Sequence, residues 1–431
     1  MNRIEAAQYA LDALKKAGAG MASAAASEGH TDEFNFNTGK FSLYRTLFNS
    51  GLSIKAIKDG KKGIANTSSL EKNDIDDAIA DCIAAANEGT PDPAEGIAEK
   101  IENKKFEAGV LNQDKDSLFD RMEEFVGEVK EKYPNLSIRQ FIAEYVRRDT
   151  VYLNTNGVEF ESVSGNYDYR TMVSAQDGEK TTSFTGSGAS FLDPKKKFLD
   201  MGLMRVTIED TLKSLDPKPV EGKFVGPIIL TPSCLMNFLT MTGMNFIGEG
   251  GLIDGTSIWK DKLNQTVAHP SLSFSLNPYD SRIVCGERFT ADGFESKDME
   301  VIKNGVLKNF QLSLYGANKT GKPRSPNSSG SMVVAGGDKS LENIIGGIDN
   351  GLLVSRFSGG MPGRNGDFSG VAKNSFAIRD GKVTNAVKET MISGNLEKLF
   401  QSIIAISSEI ICNGTSVLPW MALDGVTISG K

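Results

Sequence analysis

The sequence predicts a multi-domain α+β fold, with an N-terminal α/β sandwich-like domain and a C-terminal domain built on antiparallel sheet with hairpins. Asx-Gly pairs predict the hairpins, because this dipeptide supplies the positive φ angles of a type I′ turn. The helical patterns lie apart from the strand patterns instead of alternating with them, which is typical of the α+β class. Four Asx-Gly pairs stand between β-prone residues: Asp59-Gly60, Asn156-Gly157, Asn304-Gly305 and Asp380-Gly381.

Chain length and turn-rich segments predict the domain boundaries. With 431 residues the chain is too long for one ordinary core, so two or three domains are expected. The segments EGTPDPAEG and DPKPVEGK are rich in turn-forming residues, and a change in pattern accompanies each of them. The predicted domains are residues 1–107, 108–222 and 223–431.

Each of the first two domains is expected to combine helices with strands. Ala7, Leu11 and Leu14 recur at helical spacing and predict an amphipathic helix near the N-terminus. In the rest of the first domain we predict strands at residues 34–37 and 51–58 and a helix at 73–86. In the second domain we predict helices at 116–132 and 195–214, and strands at 137–145, 150–154, 158–163 and 168–175.

A charge-free stretch opens the third domain. No charged residue occurs in Phe224–Gly248, although 24% of the chain is charged. Prolines, asparagines and hydroxyl side chains make this stretch too polar for a membrane helix. We interpret it as a buried strand, Pro227–Leu230, that turns into a helix with Ser233 as its N-cap. Such a turn is a common position for catalytic groups, yet this one carries no acid, base or histidine.

The composition excludes several classes of function. A net charge of −7 and a pI near 5.3 argue against a nucleic-acid groove, which needs clustered Lys and Arg. The N-terminal residues lack the apolar region of a signal peptide, and four scattered cysteines form neither a disulfide framework nor a metal knuckle. His30 and His269 lie in different predicted domains without the spacing of a helical zinc motif. We expect a cytoplasmic protein without a nucleic-acid or membrane partner.

Two residues at the predicted helix N-terminus leave an enzymatic alternative open. Cys234 lies one residue inside that N-terminus, where the pKa of a thiol can be lowered, and Ser233 carries a hydroxyl. An independent hydrolase using either residue would also need a base, which the sequence does not show. The glycine-rich segments GEGGLIDG and GGMPGRNGDFSG match no phosphate loop and are interpreted as places where an extended peptide approaches the backbone.

Blocks of sequence along the whole chain resemble one known family. In the first domain these are ALKKAGAG and GLSIKAIKDGKKGIANTSSLEKNDIDDAIADCIAAA. In the third they are NPYDSRIVCGERF, VIKNGVLKNFQLSLYGANKTG, GGMPGRNGDFSGVAKNSFAIRDGKV and ISGNLEKLFQSI, in the family's order. The sequence is similar to the TldD/PmbA family, described both as modulators of DNA gyrase and as peptide maturation proteins.

The resemblance implies a metal site whose ligands this chain does not keep. Catalytic TldD-like members carry HExxxH at the strand-to-helix turn, where two histidines hold zinc and the glutamate activates water. On that motif, Thr231 and Met236 occupy the histidine positions and Pro232 the glutamate position. Cys412, in IICNGT, matches the family's cysteine ligand. The pattern resembles the PmbA (TldE) branch, whose members lack the metal site and pair with a TldD-like partner.

The resemblance therefore implies a non-catalytic, PmbA-like subunit of a heterodimeric peptidase that degrades or matures unfolded peptides. No catalytic residue, bound metal or cofactor is expected in this chain, and zinc is expected in the TldD-like partner. The expected ligand is an extended or unfolded peptide, and the chain alone is expected to form a homodimer. Two alternatives remain open: an independent hydrolase using Cys234 or Ser233, and a protein-binding modulator of DNA gyrase function.

Overall fold

The computed structural model describes residues 1–430, and in them the chain builds two large sheets with helices packed on them. The helices are α1 (Arg3–Lys16), α2 (Lys72–Glu88), α3 (Lys115–Lys132), α4 (Met204–Lys213), α5 (Pro232–Thr242), α6 (Glu249–Ile253), α7 (Leu314–Thr320), α8 (Leu341–Gly346) and α9 (Leu396–Gln401). A 3₁₀ turn at Phe198–Asp200 and a π-helical turn at Gly243–Ile247 complete the helical elements. This architecture confirms the predicted α+β class.

The strands divide between the two sheets by position in the chain. The first sheet contains β1 (Met21–Asn37), β2 (Lys40–Lys58), β3 (Lys61–Thr67), β4 (Lys104–Gly109), β5 (Leu136–Asn154), β6 (Glu159–Asp177), β7 (Lys180–Thr181) and β8 (Thr185–Phe191). The second contains β9 (Lys218–Pro219), β10 (Lys223–Leu230), β11 (Phe274–Leu276), β12 (Met299–Lys303), β13 (Val306–Leu307), β14 (Met332–Val334), β15 (Asn350–Val354), β16 (Arg356–Gly359), β17 (Asp367–Lys373), β18 (Phe376–Arg379), β19 (Lys382–Lys388), β20 (Met391–Asn395), β21 (Ile403–Cys412) and β22 (Val417–Ser429).

Four long strands form the centre of the first sheet, in the order β2, β1, β5 and β6. The predicted strands at 34–37 and 51–58 are the ends of β1 and β2, which continue through polar residues because they pair along their whole length. In the same way β5 joins the strands predicted at 137–145 and 150–154, and β6 joins those at 158–163 and 168–175. The predicted boundary between residues 107 and 108 lies inside β4, and strands from both sides of it share this sheet.

Helices α1 and α2 pack on a face of this sheet that is made of small side chains. Ala22, Ala24 and Ala26 of β1 are buried against Leu11 and Leu14 of α1, so the helix backbone comes close to the strand. The predicted N-terminal helix is confirmed, as are the helices predicted at 73–86 and 116–132. The helix predicted at 195–214 is only partly present, because Gly202, with φ +54°, separates the 3₁₀ turn from α4.

Three of the four predicted hairpin turns have the expected geometry. Asp59-Gly60, Asn304-Gly305 and Asp380-Gly381 have positive φ at both residues, as a type I′ turn requires. At Asn156-Gly157 only the glycine has positive φ, so the predicted turn type is wrong. The Asn154 side chain accepts hydrogen bonds from the backbone N–H groups of Asn156 and Val158 there, and it holds a wider connection.

The strand in the charge-free stretch is buried at residues 228–230, because β10 is covered there on both faces. This strand lies between β15 and β22, so its backbone is paired on both edges. Ile228 and Leu230 belong to the large core that also contains Phe238 of α5. Ile229 points to the other face and packs with Trp420. A charged side chain at Ile228, Ile229 or Leu230 would lose its hydration, which explains the absence of charge from this part of the stretch. No helix in residues 1–430 is long and apolar enough to cross a membrane.

Candidate functional site

The strand-to-helix turn has the predicted form, but its helix is capped two residues earlier than predicted. Thr231, not Ser233, is the N-cap of α5: its Oγ1 accepts a hydrogen bond from the Cys234 backbone N–H at 3.4 Å. Pro232 is the first helical residue, a position that suits proline because its φ is fixed and no N–H is needed. Proline at this position therefore moves the cap to the residue before it.

Helix α5 has a buried side and an open side. Cys234, Leu235 and Phe238 are fully buried, and the Phe238 ring contacts Phe357 and Phe368 with centroid distances of 5.3 and 5.2 Å. Leu235 and Phe238 therefore belong to the hydrophobic core, as expected for a buried charge-free stretch. The open side of the helix borders a cavity.

This cavity, of about 300 Å³, lies where the two sheets meet and is called the site cavity below. Three groups of residues line it. Helix α5 contributes Pro232, Ser233 and Met236; the first sheet contributes Arg170, Thr171, Gly186, Ser187 and Gly188; the remainder are Leu203, Ile411, Asn413 and Ser416. Residues from α5 and residues on both sides of Cys412 therefore meet at one cavity.

Two of the residues at family metal positions use their polar atoms elsewhere. Thr231 is buried, and its hydroxyl both caps α5 and donates to the Ser355 carbonyl oxygen at 3.4 Å. Cys412 is exposed at the end of β21, and its Sγ donates to the Arg282 carbonyl oxygen at 3.2 Å. The side chains of Thr231 and Cys412 therefore do not converge on the site cavity, whose lining does include Pro232 and Met236.

The donor set at these positions does not fit a zinc ion. Proline offers no side-chain ligand, the threonine hydroxyl is engaged as a cap, and methionine offers a neutral thioether where imidazole or carboxylate is required. Within residues 1–430 no group of three His, Cys, Asp or Glu side chains is arranged to hold a metal. His30 Nε2 lies 3.1 Å from Asp32 Oδ2 in the first sheet. His269 Nδ1 lies 2.8 Å from the hydroxyl oxygen of Ser271, in the segment before β11.

The structure weakens the hydrolase alternative. Cys234 is fully buried, and burial raises the pKa of its thiol to about 12, which is opposite to the lowering that a helix N-terminus can produce. The helix N-terminus does not offset this effect, because the thiol lies among apolar core side chains. Ser233 is exposed and lines the site cavity. In the described part of the chain no histidine or carboxylate is hydrogen-bonded to its hydroxyl, so it has no base to activate it.

The sheet side of the site cavity carries charges that sequence reasoning missed. Arg45, Glu33, Glu144 and Asp168 are register partners on the neighbouring strands β2, β1, β5 and β6, and we call them the charged row. Arg45 Nη2 lies 3.0 Å from Glu33 Oε1. Arg170, which lines the cavity, places Nη1 3.1 Å from Glu144 Oε1 and Nη2 3.7 Å from Glu33 Oε2. Arg170 thus links the cavity lining to two buried carboxylates, Glu33 and Glu144.

The two buried carboxylates of the charged row have opposite pKa shifts. Burial raises the pKa of Glu144 and outweighs the lowering effect of Arg170, with the nearby Asp168 raising it further. Burial also acts to raise the pKa of Glu33, but hydrogen bonds from Asn35 and Arg45 hold it below its ordinary value. Glu33 is therefore the carboxylate that the arginines stabilise in its charged form. No local motif marks these residues, because only strand register brings them together.

Comparisons with solved structures define the class of protein to which this fold belongs. The structure of TldE from Thermococcus kodakarensis superimposes with a TM-score of 0.84 and 20% identity, covering 98% of this chain and 99% of that one. A protein from Bacteroides thetaiotaomicron, described as a proposed modulator of DNA gyrase, also gives 0.84, with 23% identity and 99% coverage of both chains. The fold is that of the TldE-type proteins.

Sequence comparisons identify the family. Residues 222–430 match the PmbA/TldA metallopeptidase C-terminal domain, and residues 22–86 match PmbA/TldA metallopeptidase domain 1. The metalloprotease PmbA of Escherichia coli O157:H7 is 24% identical over 406 residues, which cover 88% of this chain and 87% of that one. This chain belongs to the PmbA/TldD metallopeptidase family, which confirms the family that the sequence blocks indicated.

Proposed function

We propose that the chain is a non-catalytic, TldE-like subunit that works with a TldD-like zinc peptidase on unfolded or extended peptides. One observation carries the proposal: the strand-to-helix turn of a metallopeptidase fold is present, but its positions 231, 232 and 236 hold threonine, proline and methionine. Side chains that cannot ligate zinc or activate water leave this subunit the tasks of closing the cleft and holding the substrate.

The lining of the site cavity supports a role in holding peptide backbone. Strand β8 pairs with β6 along one edge, and its other edge is bonded at Ser190, whose N–H donates to the Asn413 carbonyl oxygen at 2.8 Å. Gly186, Ser187 and Gly188 of the same strand line the cavity. A strand edge with such small side chains favours an extended chain that is recognised mainly through its main-chain groups.

A metal analysis of the purified chain tests the non-catalytic part of the proposal. We expect less than stoichiometric zinc after dialysis, because positions 231, 232 and 236 provide neither imidazole nor carboxylate. Zinc at one equivalent per chain, lost in a Cys412→Ala variant, would contradict the proposal.

A cleavage assay with an unfolded polypeptide tests the partnership. The chain alone should be inert, a TldD-like chain alone weak or inert, and the mixture active. A chelator should abolish the activity of the mixture, because the metal belongs to the partner. The matched control replaces the motif glutamate of the partner by glutamine, which should silence the mixture without disturbing assembly. Cleavage by this chain alone would overturn the proposal.

A further inference from the structure

A second cavity, of about 440 Å³, lies between the first sheet and the C-terminal region. Ser23 of β1, Lys55 of β2 and Tyr152 of β5 line it on the sheet side, and Glu249 of α6 and Arg324 line it from the C-terminal region. The described residues that line it all differ from those that line the site cavity, and we call it the junction cavity. Cavities of this size where two structural units meet are typical of small-molecule sites.

Glu249 holds an unpaired negative charge in a fixed position in the junction cavity. Its Oε2 accepts hydrogen bonds from the Ser313 backbone N–H, at 2.8 Å, and from the Ser313 hydroxyl. The side chain lies against Gly316, where an added Cβ would come within 2.6 Å of Glu249 Cδ, so the glycine leaves room for the carboxylate. Within residues 1–430 no hydrogen bond or ion pair reaches Oε1, and the residue is partly exposed. A cation in the cavity would complete the bonding of this carboxylate.

Lys55 supplies a positive charge that its neighbours do not fully balance. Its Nζ lies 2.7 Å from Glu95 Oε2 and donates to the Gly96 carbonyl oxygen at 3.1 Å, which leaves one of its three N–H donors. Glu95 also pairs with Lys62, whose Nζ lies 2.5 Å from Oε1. One buried carboxylate thus serves two lysines, and this group of three residues carries a net positive charge.

The remaining charged side chains of the lining balance each other. Arg324 donates to Asp292 through two hydrogen bonds, from Nε at 3.0 Å and from Nη2 at 2.7 Å. The lining also includes three buried apolar or aromatic side chains, Ile97, Tyr152 and Leu312. The junction cavity therefore combines one unbalanced carboxylate, one unbalanced ammonium group and an apolar surface. A phosphate or another multiply charged anion would leave the carboxylate without a partner, so it is not favoured.

We propose that the junction cavity binds a small apolar zwitterion, a free amino acid or a short unblocked peptide, with its ammonium group at Glu249 Oε1 and its carboxylate at Lys55 Nζ. Both sources share one positive end, one negative end and an apolar side chain. Because the lining comes from the first sheet and from the C-terminal region, the bound molecule contacts both and stabilises the folded chain. This proposal does not depend on the proposed function.

Titration calorimetry of the purified chain tests the two charges, with leucine and the dipeptide leucyl-leucine as probes. At least one probe should bind, and its identity distinguishes the two sources. Acetylation of the amine of that probe, or amidation of its carboxylate, should weaken binding about tenfold or more, because each change leaves one charge of the cavity unpaired. Absence of binding by both free probes at millimolar concentration, or equal binding of a blocked form, overturns the proposal.

Two substitutions locate the bound probe. Glu249→Gln keeps an acceptor oxygen but removes the charge, and Lys55→Met leaves the pair of Lys62 with Glu95; each should raise Kd about tenfold or more. Glu342→Gln is the matched control, because Glu342 is also in the first turn of a short helix, α8, and is exposed outside the cavity.

Thermal unfolding verifies that each variant is folded, and the Tm of the wild-type chain should rise with the binding probe. Binding that persists unchanged in either variant places the probe elsewhere, such as in the site cavity, and overturns the proposal. That outcome has no bearing on the metal analysis and the cleavage assay that test the proposed function.

Discussion

The two walls of the site cavity are built on different principles. The α5 wall is a single helix without charge, whose open side lines the cavity with Pro232, Ser233 and Met236 and whose buried side packs in the core. The sheet wall comes from β6 and β8, and its Arg170 forms ion pairs with the charged row, whose residues come from four strands that are distant in sequence. The first wall keeps its shape through apolar packing, and the second through hydrogen bonds and ion pairs between buried groups. The comparison teaches that the strand-to-helix turn belongs mainly to the hydrophobic framework, while the charged groups near the cavity belong to the opposite wall.

The largest effect is expected from a truncation in the α5 wall. Phe238→Ala should lower the free energy of unfolding by about 3 to 5 kcal/mol, because the fully buried ring contacts two other phenylalanines and its removal leaves a cavity. Urea unfolding measures the change. The control is Met244→Ala, since Met244 is 62% exposed, and it should change stability by less than about 0.5 kcal/mol. Equal stabilities for both variants would show that this wall is not part of the core.

The stability that the charged row contributes to the folded state should depend on pH. Its carboxylates Glu33 and Glu144 should change that stability in opposite directions. The lowered pKa of Glu33 stabilises the folded state above the ordinary value of 4.5, and that contribution is lost as pH falls through the folded-state pKa. Glu33→Gln should therefore cost about 1 to 3 kcal/mol at pH 7, and less at pH 3.5.

Glu144 supplies the matched comparison for Glu33. Its raised pKa means that ionisation destabilises the folded state as pH rises from 4.5 through the higher folded-state value. Glu144→Gln should therefore be neutral or stabilising at pH 7, and that advantage should vanish below about pH 4.5. Urea unfolding at pH 7 and pH 3.5 measures both variants. If both variants lost the same stability at pH 7, the two carboxylates would not differ in the way described.

A smaller effect is expected at the cap of α5. Thr231→Ala removes the hydroxyl that accepts from the Cys234 N–H and should cost about 0.5 to 1 kcal/mol, at the low end for caps because that hydrogen bond is long. Ser233→Ala, two residues later, should cost less, because Ser233 is exposed and is not the cap. Thermal unfolding of both variants would distinguish them, and a reversed order would restore Ser233 as the cap.

No effect on catalysis is expected from the two hydrolase candidates. Ser233→Ala and Cys234→Ala should leave peptide cleavage by the mixture with a TldD-like partner unchanged. The reason is that Ser233 lacks a base and the buried Cys234 thiol stays protonated at neutral pH. The initial rate of cleavage is the measurement. Loss of activity in Cys234→Ala, with normal assembly, would establish a thiol mechanism.

The difference between the walls also explains how much could be predicted from the sequence. The absence of charge predicted the buried strand Pro227–Leu230 and the helix after it, because burial on two faces excludes charges locally. The cap was misplaced by two residues, since the preference of Pro232 for the first helical position outweighed the presence of Ser233. The charged row could not be predicted. Its pairing joins Glu33 to Glu144 through a register that depends on the whole of β1 and β5.

The same pairing of β1 with β5 governs the order in which the chain is able to fold during synthesis. Strand β1 receives one neighbour at once from the β1–β2 hairpin, but its other neighbour is far along the chain, with Ser23 opposite Asn154. Until the ribosome has released β5, the second edge of β1 has no strand to bond to. Long-range pairing of this kind slows folding and prolongs the exposure of strand edges. The first hundred residues therefore leave one edge of β1 without its strand partner until β5 has been synthesised.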